Sequence, residues 1–279
     1  METAVLRLTR QLADLFAALP QVEAVSLGGS RGGASNAPDS ASDIDLYIYT
    51  RAEVPIAARQ AIVTHTGGAL RVDLGQNYWG PSDNWYHAPE GTEVDIVYFD
   101  AAWMEEQIRL VMEEQQPGMG YSRCVCYTIA QSIIFADPRG WFKALQTRCA
   151  APYPEALRRN IVTYNHPLLR GIISSYEHHV RKAVQRRHLV SINHRLAALL
   201  ASYFDILFAF NRIPHPGEKR QLEFALQNCP VIPENLQADL ASLLLISEAD
   251  IPHLPGRVNV LLDRLDEMLE RDGVELNPW

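Results

Sequence analysis

The sequence is short of several things, and each shortage closes off a class of protein. It has no excess of positive charge: 25 Lys and Arg stand against 33 Asp and Glu, a formal net charge of -8 with a pI near 5.6. Binding to duplex nucleic acid draws on a basic surface that releases counterions, so a duplex is disfavoured as the main partner; a short RNA end in a local basic groove is not. An acidic balance also suits a cationic small molecule. Cysteine is scarce, four in 279 residues. Cys124 and Cys126 are separated by one residue rather than the two of a zinc knuckle, and no His at ligand spacing completes them, which leaves reduced thiols in or near a core. Long apolar runs are missing: the most apolar stretch, Leu196 to Phe210, is too short to span a bilayer and contains Asp205. A basic region leading into an unbroken apolar run, the mark of an export signal, is not seen near Met1. The expectation is a cytoplasmic protein with no membrane partner. Internal repeats and low-complexity segments are absent.

What is present is a globular composition, 47% hydrophobic and 21% charged, with enough chain for one large domain or two ordinary ones. Val5, Leu8, Leu12, Leu15, Phe16 and Leu19 have helical spacing, ended by Pro20. Val22 to Leu27 reads as a buried strand running into Gly28-Gly29-Ser30-Arg31-Gly32-Gly33. After a Ser- and Asn-rich loop, Asp43-Ile44-Asp45-Leu46-Tyr47-Ile48-Tyr49 alternates as a strand does. A helix over Pro55 to His65, a short strand near Leu70 to Leu74 and a loop over 75–91 follow. Glu93 to Phe99 is the next strong strand. From Ala101 onward the pattern is helical, in segments 101–115, 121–136, 138–149, 154–188, 190–211, 217–228, 233–247 and 255–272. The fold class expected is α+β, a mixed-sheet domain over 1–125 followed by an all-α domain over 126–279.

Two residues apart on a strand means one face, so Asp43 and Asp45 lie side by side. Adjacent carboxylates repel unless a cation sits between them or one takes a proton, and hard oxygen donors of this kind suit magnesium. Asp95, between Val94 and Ile96, shares a face with Glu93 and Val97. If its strand neighbours the first, three carboxylates converge, enough for two metal ions about 4 Å apart that clamp the attacking and leaving oxygens of a phosphoryl displacement. Asp73 is a rival for the third position; Asp95 is preferred because its flanking apolar run is longer. An isolated Asp-x-Asp reads as well as a solvated strand face. What adds weight is the upstream Gly28-Gly29-Ser30, where glycine permits close backbone approach and the freed N–H groups with the serine hydroxyl can cradle phosphate oxygens.

Gly28-Gly29-Ser30, a dozen residues and then Asp43-Ile44-Asp45-Leu46 resemble the defining motif of the polymerase-β-like nucleotidyltransferase superfamily, and Asp95 in Val94-Asp95-Ile96 matches its third carboxylate. The resemblance covers roughly the first hundred residues. It implies that Asp43 and Asp45 bind two Mg2+ ions, that Asp95 joins the ion nearer the acceptor and helps activate its hydroxyl, and that Gly29 and Ser30 hold the triphosphate of an NTP donor, by family habit ATP. Arg31 either reaches a phosphate or faces solvent. Tyr203 to Arg212, with Pro216-Gly217-Glu218-Lys219-Arg220, resembles the helical domain of the antibiotic nucleotidyltransferases. That implies a small-molecule acceptor of the aminoglycoside or lincosamide kind, and Lys219 either on the triphosphate or on a solvated helix start. Other acceptors stay open: a tRNA end, or a protein in a toxin–antitoxin-type system, as does a non-catalytic nucleotide-binding module.

Other features of the helical half carry less. The basic run Arg181, Lys182, Arg186, Arg187 and His188 reads as a solvated helix face or, less readily, as an RNA contact. Arg159-Asn160 and His166 loosely resemble the arginine–histidine motif of helical ribonucleases, although Pro167 would disturb the helix that motif needs. Tyr78, Trp79, Trp85, Tyr86 and His87 form an aromatic loop that either stacks on an acceptor or packs on its own domain.

Overall fold

The computed structural model describes residues 3–29, 43–271 and 273. Its class is α+β, with a mixed six-stranded sheet and many helices. The chain forms two compact units. One takes the described residues up to Arg109 together with Val125–Ala151, and the other takes Leu110–Cys124 with the described residues from Pro152 onward.

In the first unit, α1 (Ala4–Ala17) starts where the Thr3 hydroxyl accepts from the Leu6 N–H at 3.2 Å, and it buries Leu8, Leu12 and Phe16. Then come β1 (Val22–Leu27), β2 (Ile44–Thr50), α2 (Ile56–His65), β3 (Ala69–Gln76), β4 (Ser82–His87), β5 (Glu93–Asp100) and α3 (Ala101–Met112), whose last turn passes into the second unit. The strand order is β3-β4-β5-β2-β1-β6. Strands β2 and β5 run parallel, and the other neighbours are antiparallel. One face carries Ile44, Leu46, Ile48, Trp85, Val94, Ile96 and Tyr98 into a core with Leu8, Leu12 and Phe16. Burial of each such side chain contributes about 1.5–3 kcal/mol, which fixes the alternation and sends the intervening residues to the opposite face.

Two strands lie where the sequence pattern indicates none. Segment 75–91 reads as loop because Ser82-Asp83-Asn84-Trp85-Tyr86-His87 is polar and turn-prone, yet β4 runs through it. Its polar residues are matched by partners invisible in the local pattern. Buried Asp83 accepts from the Gly75 N–H at 2.7 Å, the Tyr98 hydroxyl at 2.6 Å and Arg59 at 3.4 Å, and His87 Nε2 lies 2.7 Å from the Thr66 carbonyl. The expected helix over 121–136 is also corrected. Helix α4 (Cys124–Gln131) gives way to β6 (Ile133–Ala136), an edge strand on β1, and α5 (Trp141–Cys149) follows. A four-residue apolar run cannot be told from a buried helical turn by periodicity. The segment is tied to the sheet by Glu23, which accepts from Arg139 at 2.8 and 2.6 Å and from Arg51 at 3.0 Å. The Arg139 hydrogen bond, helped by Arg51, draws the Glu23 carboxyl down to about 2 against the opposing effect of burial. The first unit therefore takes in Val125–Ala151, beyond the 125/126 division read from the sequence.

The second unit is helical: α6 (Glu155–His166), α7 (Tyr176–Gln185), α8 (Leu189–Phe210), α9 (Gln221–Asn228), α10 (Leu236–Leu244) and α11 (Leu254–Arg271). At Pro167 the chain leaves α6 through a wide turn over Pro167–Gly171, as the missing proline N–H requires. Leu199, Tyr203 and Leu207 of α8 share one core with Leu261 and Leu265 of α11. No helix among the described residues is long and apolar enough to cross a membrane; α8 is instead a core helix that carries a buried acid. Asp205 accepts from the Ser122 N–H at 2.9 Å and hydroxyl at 2.5 Å and from Asn165 Nδ2 at 3.4 Å. Desolvation outweighs these donors and pushes its carboxyl up to about 7. Between the ordinary value of about 4 and this one, the folded protein holds a proton that the unfolded chain has released. Stability is therefore expected to fall as pH rises across that window. Asp205→Asn, which mimics the protonated acid, should flatten the dependence, so its deficit relative to wild type shrinks from pH 5 to pH 8 in urea unfolding. Parallel curves for the two proteins would show that Asp205 does not titrate there.

Candidate functional site

The face of the sheet turned away from the α1 core is acidic at one end and aromatic at the other. Along β2 it presents Asp45, Tyr47 and Tyr49, with Asp43 one residue ahead of the strand. At the aromatic end Tyr49 stacks on Phe99 at 5.7 Å and meets Phe142 of α5 at 4.7 Å, so α5 covers that end. The acidic end is half-buried, at Asp43, Asp45, Glu93 and Asp95 alike.

Strand pairing sets the geometry here. Asp45 of β2 is the register partner of Asp95 of β5, on parallel neighbours. Adjacent strands are about 4.8 Å apart, so two carboxylates leave the sheet side by side. The row continues outward: Asp95 partners Asn84 of β4, and Asn84 partners Asp73 of β3. Asn84 Nδ2 donates to Asp95 Oδ1 at 2.5 Å. Asp73 is two strands from Asp95 and pairs with Arg71 at 3.1 Å, its side chain 45% exposed. Position alone thus separates the two candidates for a third carboxylate. The neighbouring in-register pair, Tyr86 and Glu93, lies on the same face. A hydrogen bond to Glu93 raises the Tyr86 hydroxyl above its ordinary value, and the charge of Asp43 adds to the effect.

The glycines after β1 close against this row. The Gly28 N–H donates to the Asp45 carbonyl at 2.9 Å. A Cβ on Gly28 would lie 2.1 Å from the Tyr47 ring, and one on Gly29 would lie 1.8 Å from Asp45 Oδ2. Gly29 also has φ +57°, a conformation that favours glycine. Gly29 is thus favoured both by its backbone and by the carboxylate on β2, whereas a side chain at Gly28 would need the Tyr47 ring to move aside. Ser30 and Arg31, expected to help hold a triphosphate, lie outside the described residues. Among the described residues no three His, Cys, Asp or Glu side chains are gathered as a ready metal cluster. The donor chemistry nevertheless suits a hard cation: two carboxylates in register, with glycine keeping clear the space against one of them.

The aromatic segment divides. Trp85 and His87 are core residues, Tyr86 belongs to the acidic face, and Tyr78 and Trp79 are almost fully exposed between β3 and β4. Asn84 was not among the residues marked by the sequence. The alternation through Ser82-Asp83-Asn84-Trp85-Tyr86-His87 was its one signal, masked by polar residues on both faces.

In the second unit, Lys219 is exposed in the turn before α9. That turn is shaped by His215, buried against Phe208 and Tyr121, whose Nδ1 accepts from the Gly217 N–H at 3.0 Å. Desolvation pushes the His215 imidazole down to about 4, so it is neutral at ordinary pH. Of the ribonuclease-like residues, His166 Nε2 is 2.7 Å from Asp266 of α11, exposed Asn160 donates to the Gln115 carbonyl at 2.9 Å, and Arg159 is exposed.

A family model described as a domain of unknown function (DUF4037) matches residues 122–220. No curated protein matches the chain. Among solved structures, that of a nucleotidyltransferase-like protein from Exiguobacterium sibiricum 255-15 is similar, with 14% identity and a TM-score of 0.45, over 95% of this chain and 74% of that one.

Proposed function

We propose that the chain is a metal-dependent nucleotidyltransferase that moves a nucleoside monophosphate, with ATP as donor, onto a hydroxyl of a small acceptor of the aminoglycoside or lincosamide kind. The observation that carries this reading is the register pair Asp45–Asp95 on parallel neighbouring strands, with Gly29 packed against the Asp45 carboxylate. In the reaction the acceptor oxygen forms a bond to the α-phosphorus as the bond to the bridging oxygen breaks, and pyrophosphate leaves. Asp43 and Asp45 would hold magnesium, Asp95 would share in it, and the bound ions would supply charge stabilisation for the transferring group. Gly29 and Ser30 would hold the triphosphate, and Asp95 would draw the proton from the acceptor hydroxyl. Protein side chains here mainly position and polarise. Acids around the same face, Asp43, Glu93 and Asp73, support a cationic, hydroxyl-bearing acceptor. A second reading, an RNA end as acceptor, is favoured by one observation: Arg181, Lys182, Arg186, Arg187 and His188 are all exposed at the end of α7 in an otherwise acidic chain.

The test is incubation with each labelled NTP and Mg2+, with aminoglycosides, a lincosamide, bulk tRNA or no acceptor, following label transfer and pyrophosphate. Acceptor-dependent transfer that disappears in Asp43→Asn is the expected result, and the arm that accepts label chooses between the two readings. Metal-dependent NTP binding without transfer to any acceptor would make the chain a binding module, and no NTP binding would remove both readings.

A further inference from the structure

We propose that Asn84 is the positioning residue of this site: its amide holds one oxygen of Asp95 so that the carboxylate stays aligned with Asp45. The inference rests on the reading of the site just given. Four register positions run across the sheet face, Asp73, Asn84, Asp95 and Asp45, and Asn84 is the neutral one. Two carboxylates side by side tend to rotate apart or to take up a proton. A donor fixed on the next strand opposes that rotation for Asp95, and Asn84 Nδ2 is that donor. Its own placement is rigid. Strand β4 is paired on both sides, and its flanking residues Asp83 and Trp85 are buried on the opposite face, Asp83 in three hydrogen bonds. An amide at this position restrains without adding charge. A carboxylate there would join Asp73, Asp95 and Asp45 into one continuous acidic row and spread a bound cation over it. Partners that orient metal-binding carboxylates commonly matter by about 10–100-fold in affinity or activity when removed.

The measurement is Mn2+ affinity in the presence of α,β-methylene-ATP, read from free Mn2+ by EPR, for wild type, Asn84→Ala, Asn84→Asp and Asp45→Asn, with thermal midpoints recorded for each. Asn84→Ala is expected to weaken Mn2+ by about tenfold or more, with an unchanged midpoint because the side chain is half-buried on the open face. In acceptor-dependent transfer at saturating Mg2+ it should lower kcat while KM for the NTP stays within about threefold, because Asn84 holds the Asp95 carboxylate and is not itself proposed to touch the nucleotide. Asn84→Asp should bind Mn2+ at least as tightly as wild type yet transfer more slowly. Wild-type affinity in Asn84→Ala, or a loss accounted for by its unfolded fraction, overturns the role of Asn84. If Asp45→Asn still weakens Mn2+ in that case, the reading of the site stands without it. If neither variant alters Mn2+ affinity, that reading falls and takes this inference with it.

Discussion

Asp45→Asn is expected to reduce transfer by at least about a thousandfold, some 4 kcal/mol of barrier, while leaving stability within about 0.5 kcal/mol of wild type. The loss follows from where the side chain sits: beside Asp95 in register, under Gly29, and two residues from Asp43. Removing one hydrogen-bond donor aimed at developing charge commonly costs about 10²–10³ in kcat. A carboxylate proposed to hold both cations should cost more than a single donor, since the whole charge-stabilising arrangement depends on it. The fold is expected to depend on it much less. The amide has the same shape, the contact with Gly29 is retained, and one of two neighbouring negative charges disappears, which relieves repulsion. Activity by label transfer and stability by urea unfolding should therefore separate cleanly. Undiminished turnover in this variant would remove the carboxylate argument altogether.

The parts of the fold and site legible in the sequence are those where local pattern and tertiary role agree. Asp43 to Tyr49 alternates because one face of β2 is core and the other is the acidic face, and Glu93 to Phe99 alternates for the same reason. The pattern gives the face of Asp95 but not its neighbour; that Asp45 and Asp95 are side by side depends on β2 and β5 pairing in parallel across 50 residues of chain. The same limit hid β4. Asp83 and His87 look wrong for a strand until Arg59, Tyr98, Gly75 and Thr66, all distant in sequence, supply their hydrogen bonds. With β4 unread, Asn84 had no partner to be assigned to. Edge strand β6 was lost differently, since Ile133-Ile134-Phe135-Ala136 has no period of its own and is held by Glu23 and Arg139 rather than by local propensity. The long helices of the second unit were legible because an amphipathic stripe is a local property.

Gly29→Ala is the second large effect expected, and it tests whether the glycine pair and the carboxylates form one device. A methyl group there would meet Asp45 Oδ2 at 1.8 Å, whereas real contacts of this kind are almost never under 3.0 Å, so the carboxylate or the backbone must retreat by more than 1 Å. Displacements of about 1 Å in a positioned catalytic group can lower rates about a hundredfold. The left-handed backbone at Gly29 adds a strain of roughly 1–2 kcal/mol for any other residue. A merely structural turn would show only that strain, as lost stability with catalysis per folded molecule unchanged. The two contributions separate in a double-mutant cycle with Asp45→Ala, which removes the carboxylate that the methyl strikes and leaves only the Asp45 Cβ, at 2.9 Å, just under that 3.0 Å limit. The stability cost of Gly29→Ala should drop to the backbone part in that background, and the two substitutions should be strongly non-additive in stability. Additive costs would mean that Gly29 serves the turn alone and that its closeness to Asp45 has no consequence for the site.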